Sequence, residues 1–304
     1  MINFVKRILL NRNSILVFGV IAGLIAGDAA SVLKDFSFLA LACTMAFSMT
    51  GISLSYLKNS SNFTKPMLMG AILNYVAFSL VLLPLAWLIM PNKNLFYGFV
   101  VIAAAPPGVA IIPFSYILKG RVEYAIIGVT GAFLASIIVA PLLVNIFASG
   151  QGLKPFDLFK LMVQLVIIPM IISRFLLYKP LFKYIEPIRG KVVDWGFAIL
   201  IFVAVGMNRN VFFFNPLLLL EISGILFIAI FGLGIGFRLV ASYFKVERSL
   251  QITQSMLIAI KSSGFSVFTA LTLFGKEAAI PSAVMAVMVL FYLIYLSLRT
   301  KKSA

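Results

Sequence analysis

Histidine is absent from the 304 residues, and cysteine occurs once, at Cys43. Without histidine the chain lacks the commonest metal ligand and the usual proton carrier near neutral pH. That weighs against an intramembrane metalloprotease or a haem protein. A single cysteine rules out an intramolecular disulfide. Acidic residues are scarce: only nine are present, Asp28, Asp35, Glu123, Asp157, Glu186, Asp194, Glu221, Glu247 and Glu277. Each lies in a loop or within about two helical turns of the end of an apolar run, so none is placed at mid-membrane. No hydrophilic stretch exceeds about 15 residues. There is thus no room for a soluble domain, and no Gly-rich phosphate loop to power a nucleotide-driven pump. An enzyme acting in the membrane would need a nucleophile with a base, or metal ligands, and the interior of the chain offers neither.

Apolar residues make up 62% of the chain, charged residues 11%, and the mean hydropathy is +1.11. A soluble domain is about half apolar and a quarter charged. The apolar residues come in runs of about 20, long enough to cross roughly 30 Å of hydrocarbon as helix. Ten such spans are predicted: Ser14–Ala30, Phe36–Leu54, Pro66–Met90, Leu95–Leu118, Val122–Ala148, Phe156–Leu177, Val192–Met207, Pro216–Phe244, Leu250–Phe274 and Ala278–Leu298. The first 30 residues also imitate a signal peptide, with Lys6, Arg7 and Arg12 ahead of an apolar stretch. The ten-span topology requires that segment to be retained.

A net charge of +16 would suggest nucleic acid in a soluble protein, but these charges sort by loop and no nucleic-acid partner is expected. Alternate loops hold 18 of the 25 basic residues: Lys6, Arg7 and Arg12; Lys58 and Lys65; Lys119 and Arg121; Arg174, Lys179, Lys183, Arg189 and Lys191; Arg238, Lys245 and Arg248; Arg299, Lys301 and Lys302. The other loops hold six: Lys34, Lys93, Lys154, Lys160, Arg209 and Lys276. The positive-inside rule then predicts a multi-pass protein of the cell membrane with both termini cytoplasmic. Ten spans divide into two sets of five, about 14–148 and 156–298, of opposite orientation, as in inverted-repeat transporters. The whole chain, 1–304, reads as one transmembrane domain.

Two spans carry interruptions. The fourth contains Ala103-Ala104-Ala105-Pro106-Pro107-Gly108 and then Pro113. Three prolines remove three backbone donors and clash with preceding carbonyls. Polar backbone freed at membrane depth must be buried in protein or face a watery cavity. The competing reading is a kinked packing helix. The ninth span holds Lys261-Ser262-Ser263-Gly264 in the equivalent place of the second five. Paired breaks of this kind are a pointer to a transporter's binding site, where half-helix N-termini favour an anion. Lys261 is 11 residues into its span and too deep to snorkel. A charge there costs about 2.5–3.5 kcal/mol on insertion scales. Either it serves substrate or ion binding, or it ties together the free carbonyls of the broken helix, and both can hold.

These two stretches resemble the bile acid:sodium symporter family, within the bile/arsenite/riboflavin transporter superfamily. The resemblance rests on Ala104-Ala105-Pro106-Pro107-Gly108, on Ser263-Gly264, and on the order and lengths of the spans. It implies an all-α fold with crossed, broken helices 4 and 9. A core of spans 3–5 and 8–10 would stand beside a panel of spans 1, 2, 6 and 7, with alternating access by an elevator or rocking movement. It further implies a small or amphipathic organic anion as substrate and, taken alone, a sodium symporter; no cofactor and no resident metal are expected. The chain departs from the family at the sodium ligands. The family's Glu falls at Leu257, its Gln at Lys261, its Asn at Ser262 and its Ser-Asn at Ile111-Ile112; Asn74 stands where a sodium-binding Gln is found. The expectation is a carrier in which Lys261 replaces the cation, with proton coupling or none favoured over sodium. A sodium symporter with a rearranged site is the alternative, and a channel or a non-transporting sensor belongs to a different class. Lys261, Ser262, Ser263, Gly264, Pro106, Pro107, Gly108, Asn74 and Tyr292 are the expected site residues; Tyr292 reads equally as a packing aromatic.

Overall fold

The computed structural model describes residues 12–52, 63–90, 92–148 and 155–301. Lys6, Arg7, Lys58, Lys154 and Lys302, and with them the start of the signal-like segment, lie outside those residues. Among the described residues the secondary structure is helical throughout, apart from one isolated backbone bridge. We number the helices α1 Arg12–Ile25, α2 Ser37–Met49, α3 Thr64–Ile89, α4 Lys93–Ala104, α5 Ile111–Ile117, α6 Val122–Ala148 and α7 Phe159–Leu176. They continue as α8 Lys179–Met207, α9 Arg209–Phe214, α10 Pro216–Tyr243, α11 Arg248–Ala259, α12 Ser263–Phe274 and α13 Ile280–Lys301.

Seven helical stretches among the described residues are long and apolar enough to cross a membrane, so this is a multi-pass membrane protein. The difference from ten has a local cause. The predicted fourth and ninth spans are each divided, into α4 with α5 and α11 with α12, and α1 is only 14 residues long. The predicted seventh span, Val192–Met207, is also too short. Helix α8 begins at Lys179 and runs for 29 residues. Pro180 occupies a first-turn position, where its missing N–H costs nothing, and Pro187 is accommodated inside the helix. Arg189 and Lys191 therefore belong to a helix and not to a loop.

Close packing without a hydrophobic driving force needs small residues. Helix α1 packs against α8 through Gly19 and Gly23, and Gly27, in the short turn just past its end, continues the contact. A Cβ on Gly19 would stand 2.8 Å from the Ala198 carbonyl, and one on Gly23 2.9 Å from that of Phe202. Helix α2 packs on the same α8, and Arg174 of α7 closes its end. The Arg174 guanidinium donates to the carbonyls of Met49 (2.7 Å) and Ile52 (2.8 Å), satisfying orphan acceptors where the helix dipole is negative. Elsewhere α3 packs on α6, and α10 on both α11 and α13. Helices α3, α7 and α10 each contain a π-turn, at Ile72–Ala77, Val163–Ile167 and Ile228–Gly232. Such turns are frequent at functional sites.

Candidate functional site

Helix α4 ends at Ala104 because two prolines follow. Ala105, the residue before Pro106, takes extended angles (φ −64°, ψ 142°), as steric conflict with a following proline ring demands. In a continuous helix the Ala103 carbonyl would accept from residue 107, but residue 107 is a proline and has no N–H. The chain therefore carries an unpaired acceptor deep in the bundle. Helix α11 stops at Ala259 with no proline to stop it; Ile260 (φ −104°, ψ 108°) and Ser262 (φ −77°, ψ 96°) are both extended.

The two extended segments pair. Pro107 and Lys261 form an antiparallel bridge, with Gly108 N donating to the Ile260 carbonyl at 3.1 Å and Ser262 N to the Pro106 carbonyl at 2.9 Å. Gly108 eases this approach, since a Cβ there would lie 3.1 Å from Ile260 Cγ2 and 3.3 Å from the Lys261 carbonyl, tighter than ordinary contact. Each broken helix thus satisfies backbone that the other has freed, which the low dielectric at membrane depth requires.

The Lys261 side chain completes the arrangement. It is 2% exposed, and its Nζ donates to the carbonyls of Ala103 (2.8 Å) and Ala105 (3.0 Å). The ammonium also lies 4.7 Å from the Tyr75 ring centroid and 4.9 Å from that of Phe78, within cation–π range of both. Asn74, in the π-turn of α3, donates to the same Ala105 carbonyl at 3.2 Å. Its Oδ1 is buried without a hydrogen-bond partner among the described residues. Carbonyl oxygens and aromatic faces surround Nζ at the C-terminal end of α4, and no carboxylate is among its contacts in the described residues.

The other predicted residues take different places. Ser263 and Gly264 form the first turn of α12, where a Cβ on Gly264 would overlap the ring of Phe197 from α8. Tyr292 lies away from the crossover. Its ring packs 5.2 Å from Phe231 and presses on Gly234, and its hydroxyl is buried with no hydrogen-bond partner among the described residues. Leu257 is fully buried beside Gly128, and Ile111 and Ile112 are buried as well, so none of these three side chains offers an oxygen to a cation.

Beside the crossover is a small space of about 40 Å³, lined by Gly108, Lys261, Ser262, Ser263 and Phe197 among others. It has room for a water or two. Phe197, Val109 and Ala110 also line a much larger cavity of about 520 Å³ between α2, α5 and α8. That cavity lies toward the ends of α2 and α5 and the first half of α8, on the side of the basic loops. Toward the other end, Asn208 Nδ2, just past α8, donates to the Lys276 carbonyl between α12 and α13 at 2.8 Å. The sequence reading missed Tyr75, Phe78, Phe197 and Arg189. Phe78 stands four positions after Asn74 and three after Tyr75, spacings that bring helical side chains together.

A family profile described as "Sodium Bile acid symporter family" matches residues 38–213, more than half of the sequence. The chain belongs to the sodium bile acid symporter family. This is a family of transporters and not of enzymes. The matched residues run from α2 to α9, taking in the break after α4 and leaving Lys261 beyond them. Among relatives, an Arabidopsis thaliana protein named "Probable sodium/metabolite cotransporter BASS1, chloroplastic" is 24% identical over 266 residues. That alignment spans 84% of this chain and 64% of the relative, just under two thirds of its length. A Bacillus subtilis (strain 168) protein named "Uncharacterized sodium-dependent transporter YocS" is 26% identical over 229 residues, 72% of this chain and 68% of its own.

Proposed function

We propose that this member of the sodium bile acid symporter family is a secondary transporter of a small or amphipathic organic anion, working by alternating access. Ten crossings would form two inverted repeats, about 14–148 and 156–298, in a cell membrane with both termini cytoplasmic. The panel would comprise α1, α2, α7 and α8, and the core α3–α6 with α10–α13. The cavity between α2, α5 and α8 lies on the panel–core boundary and on the basic-loop side, which supports an inward-facing conformation. The link from Asn208 to Lys276 joins the two bodies at the opposite end. Transport would need that link to open as the core moves against the panel.

One observation carries the reading of the ion: Lys261 Nζ sits on the Ala103 and Ala105 carbonyls. An ammonium there supplies a fixed positive charge to oxygens that would otherwise attract a mobile cation. Uptake then does not require sodium at the crossover, and proton coupling or no coupling follows. A second reading has its own support in the names of the two relatives, both of which specify sodium. Under it, sodium binds at a rearranged site and Lys261 only closes the broken helix. Neither relative supports a proton over sodium.

Purified protein in liposomes separates the two readings. Organic-anion uptake is measured in sodium and in potassium at equal ionic strength, beside Lys261→Gln. The proposal expects wild-type uptake within about twofold in the two salts and loss of uptake in the mutant. Strict sodium dependence with a fully active mutant would sink it.

A further inference from the structure

Lys261 cannot itself hold an anionic substrate in this conformation. Its ammonium is spent on two carbonyls and two aromatic faces, and the space beside it is only about 40 Å³. The cavity large enough for an organic molecule is the neighbouring one of about 520 Å³, and its lining contains one basic side chain, Arg189 of α8. Arg189 is half-buried, and no hydrogen bond or ion pair holds its guanidinium among the described residues. Its recorded contact is with the face of Phe182, 5.9 Å from the ring centroid. Asp194, the other charged group in the lining, is engaged in an interaction of its own.

The next residue strengthens the case. Gly190 also lines the cavity, inside a 29-residue helix where glycine costs roughly 0.5–1 kcal/mol relative to alanine. Other glycines of this helix are needed for packing: a Cβ on Gly196 would overlap Thr44 Oγ1, and one on Gly206 would stand 2.6 Å from Ala30 Cβ. At Gly190 nothing lies within 4 Å of the missing Cβ. The helix gives up propensity there and leaves open volume next to an unpaired guanidinium.

We propose that Arg189 binds the anionic group of the substrate, with Gly190 providing the space, and that the apolar body lies along Phe47, Val109, Ile112, Val193 and Phe197. The inference rests on the transporter reading and adds to it the anchoring residue and the polarity of the bound molecule. A planar guanidinium matches a carboxylate in two parallel hydrogen bonds, which a lysine cannot reproduce.

Purified protein is titrated with octanoate, with cholate and with the uncharged octanamide, binding being read by calorimetry and by thermal shift. The variants are Arg189→Gln, Arg189→Lys, and Lys183→Gln as a control on an exposed, non-lining position of the same helix. Arg189→Gln is expected to weaken binding of the carboxylates at least about tenfold and to leave octanamide unchanged. Arg189→Lys should recover only part of the affinity, and Lys183→Gln should match wild type. Gly190→Leu should weaken cholate more than octanoate. Carboxylate binding unaltered in Arg189→Gln, or no carboxylate binding by wild type, overturns the inference. A wild-type protein that binds these anions and fails to move them in liposomes refutes the transporter reading and leaves the Arg189 assignment standing.

Discussion

The two broken helices reach similar shapes by different routes. Between α4 and α5 the break is written into the chain: Pro106 and Pro107 forbid helical hydrogen bonding whatever surrounds them. Between α11 and α12 nothing in Ile260-Lys261-Ser262 forbids helix, yet these residues are extended. Their conformation is held by the bridge to Pro106 and Gly108 and by the pull of the Ala103 and Ala105 carbonyls on Lys261. The proline side creates the unpaired acceptors, and the lysine side opens because it can satisfy them. One half imposes its break and the other responds to it.

That contrast can be broken at its strongest point by Lys261→Met. The substitution keeps an apolar stem but leaves the Ala103 carbonyl without a donor, at about 1–3 kcal/mol, and the Ala105 carbonyl with Asn74 alone, and it gives up both cation–π contacts. A loss of about 2–4 kcal/mol in detergent-solubilised stability is expected, with uptake reduced more than tenfold. A smaller effect tests the contact between α12 and α8. Gly264→Ala drives a methyl into Phe197, an overpacking of about 1–3 kcal/mol. Phe197→Ala in the same chain should restore most of the melting temperature; if the double mutant is no better than Gly264→Ala, the contact is not the cause. The smallest effect is expected from Asn74→Ala, which removes one hydrogen bond to the Ala105 carbonyl and should cost about 1 kcal/mol in a chemical-denaturation or thermal-shift assay.

How far the sequence could be read follows the same division. Prolines and a mid-span charge are local facts, so the first break and Lys261 stand out in the chain itself. The partners of the ammonium do not, because Tyr75 and Phe78 are apolar residues in an apolar run and only the fold brings them within 5 Å of a lysine far along the chain. Arg189 was read with the loop charges because the sixth span ends at Leu177 and the seventh begins only at Val192, with basic residues between them. Helix α8 continues through them, and the arginine becomes part of a cavity wall. Tyr292, read equally as polar lining and as a packing aromatic, packs against Phe231 and Tyr295. Phenol rings are amphipathic, and sequence alone does not decide which end a site would use.

The central claim is that the Lys261 ammonium already fills the cation position of the crossover. A ligand that binds the folded state alone raises its stability in proportion to the logarithm of its concentration. Melting temperatures of the purified protein should therefore be recorded across a sodium titration, with potassium making up constant ionic strength. The account predicts a melting temperature independent of the sodium fraction for the wild type. A sodium-specific, saturating rise of several degrees in the wild-type protein would contradict it.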